Sequence, residues 1–215
     1  EIGSLTPKAQ AGNPKPRSFR LVKDNALINR MGINNLGVRN AIDNLRSNPP
    51  RNVIIAANIS KNSTTSNEDA AEDYEKALTL MYDFADMTVL NISCPNVKDL
   101  TELQDIEMLS NIIDKLITIR KFNEEYHPIL LKLSPDIPLE QIDEIIDLVQ
   151  ISGIDGIVAT NTTRSREGLV TPYEDVKNIG EGGLSGAPIF EKSLRMVKYI
   201  HNRTKGSIPI IGVGG

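Results

Sequence analysis

Short, almost wholly apolar runs alternate with longer amphipathic stretches along this chain. The runs at residues 1–3, 53–57, 88–90, 129–131, 156–159 and 208–213 predict strands. Their near-continuous hydrophobicity is the pattern of parallel strands covered on both faces. Between them the apolar residues recur at helical spacing. Leu103, Ile106, Leu109, Ile112, Ile113, Leu116 and Ile117 form one stripe, and Leu139, Ile142, Ile145, Ile146 and Val149 form another. Further helices are predicted over 38–46 and 190–203, and Thr65 with Glu68 resembles a capping box at the start of another.

Regular alternation of strand and helix selects a parallel α/β architecture. The strand ends then favour a closed barrel over a doubly wound sheet. Nearly every run ends in a polar or glycine tip: Ser4, Asn58, Asn91, Lys132, Thr160 with Asn161, and Gly214 with Gly215. In a (β/α)8 TIM barrel all such tips converge on one mouth, whereas a doubly wound sheet needs chemistry only at its switch point. Six of eight strands are expected within residues 1–215, read as one domain. The chain opens within one strand and stops just after another, so it reads as an interior segment of a barrel. Residues 5–35 interrupt the alternation with Pro7, Gly12, Pro14 and Pro16, and are read as a small β insertion over the mouth.

Composition narrows the function classes. The 24 basic and 28 acidic residues give a net charge of −4, dispersed along the chain, with no basic face for nucleic acid. A single cysteine excludes an internal disulfide framework, and two histidines are too few for a Cys/His zinc site, so no metal is expected. A reducing, cytosol-facing compartment follows from the cysteine count.

Candidate chemistry lies at the tips. Asn91-Ile92-Ser93-Cys94-Pro95-Asn96 follows a strand and sets two amides and a thiol within six residues. A lone cysteine is usually a small buried apolar residue, but Cys94 stands in a loop between polar neighbours, where a reactive thiol belongs. Asn29-Arg30-Met31-Gly32-Ile33-Asn34-Asn35 and Ala159-Thr160-Asn161-Thr162-Thr163 add further amides. An amide offers an acceptor beside two donors, so converging asparagines suit a ring of alternating N–H and C=O groups. Lys132 ends an apolar strand with a charge, suited to facing an electron-rich group. Gly182–Gly186 and Gly212–Gly215 read as glycine-rich turns at which a backbone can approach a phosphate.

Taken together and in order, these motifs resemble the dihydroorotate dehydrogenase family over essentially the whole chain. So do Glu1-Ile2-Gly3-Ser4 with Thr6-Pro7, and the stretch from Gly12-Asn13 to Arg17-Ser18-Phe19-Arg20. The resemblance implies flavin mononucleotide (FMN) held by Ser4, Asn58, Asn91, Lys132, Thr160, Gly186 and Gly215, the two glycines on the phosphate side. It implies dihydroorotate held by Asn29, Arg30, Met31, Gly32, Ile33, Asn91, Asn96, Asn161 and Thr162. Cys94 falls where the family places its catalytic base. The insertion and the Asn29–Gly32 loop look like the quinone-reducing class 2, associated with the inner membrane on its cytoplasmic side, which usually carries serine as base. Cysteine is typical of class 1, the cytoplasmic enzymes that use fumarate or NAD. The competing expectations are another flavin barrel (dihydropyrimidine dehydrogenase, or dihydrouridine synthase, whose tRNA substrate would call for a basic face) and a non-catalytic nucleotide-binding barrel.

Overall fold

A computed structural model describes residues 1–49, 52–93 and 105–214. Strands β1 (Ile2–Leu5), β4 (Ala56–Ile59), β5 (Met87–Asn91), β6 (Ile129–Leu133), β7 (Gly156–Ala159) and β9 (Ile210–Gly212) form a parallel sheet in the order β1-β4-β5-β6-β7-β9. Helices α1 (Gly37–Ser47), α2 (Ala70–Met81), α3 (Ile106–Phe122), α4 (Leu139–Ser152) and α6 (Phe190–Thr204) alternate with these strands. A second, antiparallel sheet joins β2 (Ser18–Leu21), β3 (Ala26–Asn29) and β8 (Gly183–Gly186), with α5 (Tyr173–Ile179) preceding its last strand. Among the described residues no helix is long and apolar enough to cross a membrane.

Two different faces explain why the main strands read as continuously apolar. Ala57, Ile59, Leu90, Leu131, Leu133, Ile157 and Ala159 are buried against the helical stripes, including Tyr74, Leu78, Ile112, Leu116, Ile145 and Ile146. Each fully buried Leu or Ile contributes about 1.5–3 kcal/mol by leaving water. The alternate residues Val89, Leu130 and Val158 make a separate cluster on the concave side. Lys132 on β6 reaches Glu1, next to β1, at 2.7 Å. Three strand spacings would put those strands about 14 Å apart in a flat sheet, so the sheet curls, as a partial β/α barrel does.

Several boundaries differ from those read in the sequence. Residues 53–57 were expected as a strand, yet Val53 and Ile54 are 62% and 71% exposed and pairing begins at Ala56 opposite Met87. Ile55 still bonds to Asp86 and Met87 at the entry to β5, but Val53 and Ile54 lie in solvent before the ladder starts. Residues 182–186 were expected as a turn, but Gly183–Gly186 is β8, antiparallel to β3 with Ala26 opposite Gly186. Glycine is needed at Gly186 because a Cβ there would come within 2.3 Å of the Asn25 carbonyl oxygen. The predicted Thr65–Glu68 capping box is replaced by Ser66 and Asp69. The Ser66 hydroxyl donates to Asp69 Oδ2 and accepts from its backbone N–H, and α2 begins at Ala70. Leu139, expected in the α4 stripe, is 54% exposed at the first turn, and the buried face begins at Ile142. Leu103 of the α3 stripe lies outside the described residues.

Candidate functional site

Strand register builds the site. Asn91 is level with Lys132, and Asn58 with Val89, so Asn58, Asn91 and Lys132 all face the concave side near the C-terminal ends of their strands. Together with Glu1, Gly3, Ser4, Asn161 and Thr162 they line a cavity of about 390 Å³, closed on the other side by Asn29, Met31, Gly32, Ile33 and Asn34. Polar groups at this depth are expensive unless paired, and here they pair with each other. Asn91 Nδ2 donates to Ser4 Oγ at 2.9 Å and to Asn58 Oδ1 at 3.2 Å, while Asn161 Nδ2 donates to Asn91 Oδ1 and to Ser93 Oγ. The buried Tyr74 hydroxyl donates to the Asn91 carbonyl and ties the strand end to α2.

Glu1 is the main wall residue that sequence reasoning missed. Its Oε1 accepts from Asn58 Nδ2 at 2.5 Å and from Lys132 Nζ at 2.7 Å. Burial opposes its ionisation, but the hydrogen bond and charge of Lys132, aided by the Asn58 amide, hold the carboxyl below its ordinary value. The available signal was parity: Ile2 faces outward opposite Ala57, so Glu1 and Gly3 face inward.

Other predicted site residues lie elsewhere. The Arg30 guanidinium turns away from the cavity, stacks 4.4 Å from the Phe19 ring centroid and donates to the carbonyls of Ile179 and Glu181. Thr160 is buried and shares a hydrogen bond with Ser193 at 2.8 Å. That hydroxyl pair faces Gly214, where a Cβ would lie 2.5 Å from Ser193 Oγ and 3.2 Å from Thr160 Oγ1. Gly186 lies in β8, away from the cavity wall. Cys94, Asn96 and Gly215 fall outside the described residues.

The segment after β7 is held by a carboxylate that carried no sequence signal. Asp136 accepts from the Thr163 hydroxyl and Lys192 Nζ, each at 2.5 Å, and from the Arg164 backbone N–H at 2.7 Å. Burial raises its pKa, but these donors outweigh that and lower it. In the full-length protein, Asp136→Asn is expected to cost about 1–2 kcal/mol, a modest figure because the Lys192 pair is about a third exposed. A carboxyl with a lowered folded pKa contributes fully above its unfolded value of about 3.9 and loses that contribution as pH falls through the folded one. Urea midpoints of wild type and variant should therefore stay apart from pH 8 to 5 and converge only below about pH 4.

All 215 residues match the family model described as dihydroorotate dehydrogenase. The proteins named dihydroorotate dehydrogenase (quinone) of Christiangramia forsetii and Corynebacterium efficiens are each 44% identical. Both alignments cover the whole chain, and respectively 62% and 55% of those proteins. The ligand-free DHODH structure from Eimeria tenella superposes with a TM-score of 0.91 at 34% identity, covering 100% of this chain and 64% of that one. The chain thus spans less than two thirds of the length of these relatives. A full-length family match, together with a fold shared at that level, establishes that the chain belongs to the dihydroorotate dehydrogenase family.

Proposed function

We propose that the full-length protein oxidises dihydroorotate to orotate in pyrimidine synthesis, using bound FMN and passing the electrons to a quinone. The observation that carries this reading is the convergence on one cavity of Ser4, Asn58, Asn91 and Lys132, from four neighbouring strands, with the loop 29–34 from the second sheet. This donor set fits a flavin. Amides, a hydroxyl and an ammonium match a ring edge of carbonyls and N–H groups, and the Thr160–Ser193 hydroxyls beside Gly214 suit a phosphate. Gly186 and Gly215 are assigned to the same phosphate end. FMN, when bound, supplies the two-electron acceptor for the hydride that leaves C6 of the substrate.

The chain's own residues do the rest. Cys94 takes the proton from C5, which suits a thiol whose ordinary pKa of about 8.5 lies near working pH. It directly follows Ser93, which is buried and donates to the Lys132 carbonyl at 3.1 Å. Asn29, Met31, Gly32, Ile33, Asn91, Asn96, Asn161 and Thr162 hold the substrate's amides and carboxylate. Arg30 contributes by fixing the loop through its two carbonyl contacts. Residues 1–215 belong to one barrel domain, of which they form a part, with 5–35 covering its mouth. A quinone acceptor further implies peripheral contact with the cytoplasmic side of the inner membrane.

One observation favours a second reading of the acceptor. Position 94 is a cysteine, the residue typical of the class 1 base, which would point to fumarate or NAD. Anaerobic stopped-flow on the full-length holoenzyme distinguishes the two. Dihydroorotate should bleach the flavin absorbance, and a quinone should restore it faster than fumarate or NAD. Cys94→Ala should slow bleaching by about 10²–10⁴-fold with flavin content unchanged. An unchanged rate in the variant would remove the base assignment, and a wild type that dihydroorotate cannot bleach would remove the activity.

A further inference from the structure

The wall formed by residues 29–34 has no regular structure beyond β3, yet it must hold one shape to define the cavity. Its carbonyls point to what fixes it. Gln10, a half-buried residue of the segment between β1 and β2, donates from Nε2 to the Gly32 carbonyl at 3.1 Å and to the Ile33 carbonyl at 2.9 Å. On its other side Oε1 accepts from the Ser63 backbone N–H at 2.9 Å and from Asn62 Nδ2 at 3.0 Å. The Gln10 and Asn35 backbones also pair reciprocally. The amide orientation is dictated by chemistry. Gly32 and Ile33 offer only carbonyl oxygens here, and Ser63 only an N–H, so nitrogen must face one side and oxygen the other.

The far side of this contact is rigid. Asn62 is 4% exposed; its side chain exchanges two hydrogen bonds with the Lys8 backbone, and its own N–H donates to Asp73 on α2 at 2.8 Å. A continuous path of hydrogen bonds therefore runs from α2 through Asn62 and Gln10 to the two residues that line the cavity. The contact needs donors on one side and acceptors on the other, which a single amide supplies. A carboxylate accepts only, a lysine donates only, and an aliphatic chain does neither.

We infer that Gln10 is a positioning residue for substrate, locking Gly32 and Ile33 onto the barrel so that the loop is preorganised to receive dihydroorotate. This rests on the reading of 29–34 as the substrate loop. Gln10→Glu, made in the full-length holoenzyme, keeps the shape and both acceptor contacts but turns an oxygen toward two carbonyls. Its KM for dihydroorotate should rise tenfold or more at pH 8, with kcat changed less than about threefold. Once protonated, a carboxyl at this position donates to the carbonyls again. The ratio of variant to wild-type KM should accordingly fall as pH is lowered, whereas Gln10→Met should raise the ratio without pH dependence. Amide hydrogen exchange at residues 31–35, measured without substrate, should be accelerated at least about tenfold in Gln10→Glu at pH 8. A wild type inactive on dihydroorotate removes the functional reading but leaves the exchange measurement to decide the role of Gln10. Unchanged exchange, or in an active enzyme a Gln10→Glu KM within twofold of wild type at every pH, overturns the inference.

Discussion

Replacing Lys132 by Met in the full-length holoenzyme is expected to slow flavin reduction by dihydroorotate by about 10²–10³-fold, equivalent to about 2.7–4 kcal/mol of barrel-mouth electrostatics. Lys132 is the cation of the cavity wall among the described residues, placed by β6 on the concave face and only 12% exposed in its side chain. Negative charge that develops in a site shielded from water is stabilised far more by a fixed cation than it would be in bulk solvent. Removal has a second effect, because Glu1 loses its partner at 2.7 Å and leaves a carboxylate facing the same cavity. The double variant Glu1→Gln with Lys132→Met should therefore recover part of the lost rate. Stopped-flow traces of the single and double variants provide the check. A single variant as fast as wild type would refute the role of Lys132, and a double variant no faster than the single would refute that of Glu1.

What the sequence made legible follows from the range of the interactions involved. Asn91 and Lys132 stood out because each is a polar residue in an apolar strand, and a barrel has one place for such residues, its concave mouth. The stripes of α3 and α4 were readable because helical burial repeats locally, as Ile112, Ile113 and Leu116 do within one element. Contacts made across the chain left no local trace. Glu1 meets Lys132 from 131 positions away, and Gln10 draws its importance from Gly32, Ile33, Asn62 and Ser63, which share no pattern with it. β8 was read as a turn because its glycines are turn formers in isolation, whereas its strand partner Ala26–Asn29 lies more than 150 residues earlier. Arg30 was grouped with its neighbours by adjacency, but its guanidinium is taken up by the end of α5 and the residues just after it.

Gly3→Ala should be among the most damaging single-methyl additions available to this fold, costing about 3–5 kcal/mol of stability. Two effects combine at Gly3. Its φ of +118° lies where a side chain is strained, and a Cβ built there would sit 2.4 Å from the Asn58 carbonyl oxygen and 2.8 Å from the Leu5 nitrogen. Neither atom belongs to a flexible side chain. Both are backbone. Relief at Asn58 requires β1 to move off β4 by about 1 Å, the shortfall from an ordinary van der Waals contact, while the Leu5 contact lies within β1 and yields only to a change in that strand's own backbone. That movement would disturb the pairing of Ile2 with Ala57 and carry Glu1 and Ser4 away from Asn58 and Asn91. Gly168→Ala, where φ is +77° and nothing lies within 4 Å of the added carbon, gives the cost of a positive φ in open space. That control should cost only about 1 kcal/mol. Urea unfolding of both variants in the full-length protein measures the difference directly, and flavin content reports the cavity. If Gly3→Ala lies within about 1 kcal/mol of Gly168→Ala and retains its flavin, the close approach of β1 to β4 is not what shapes the site.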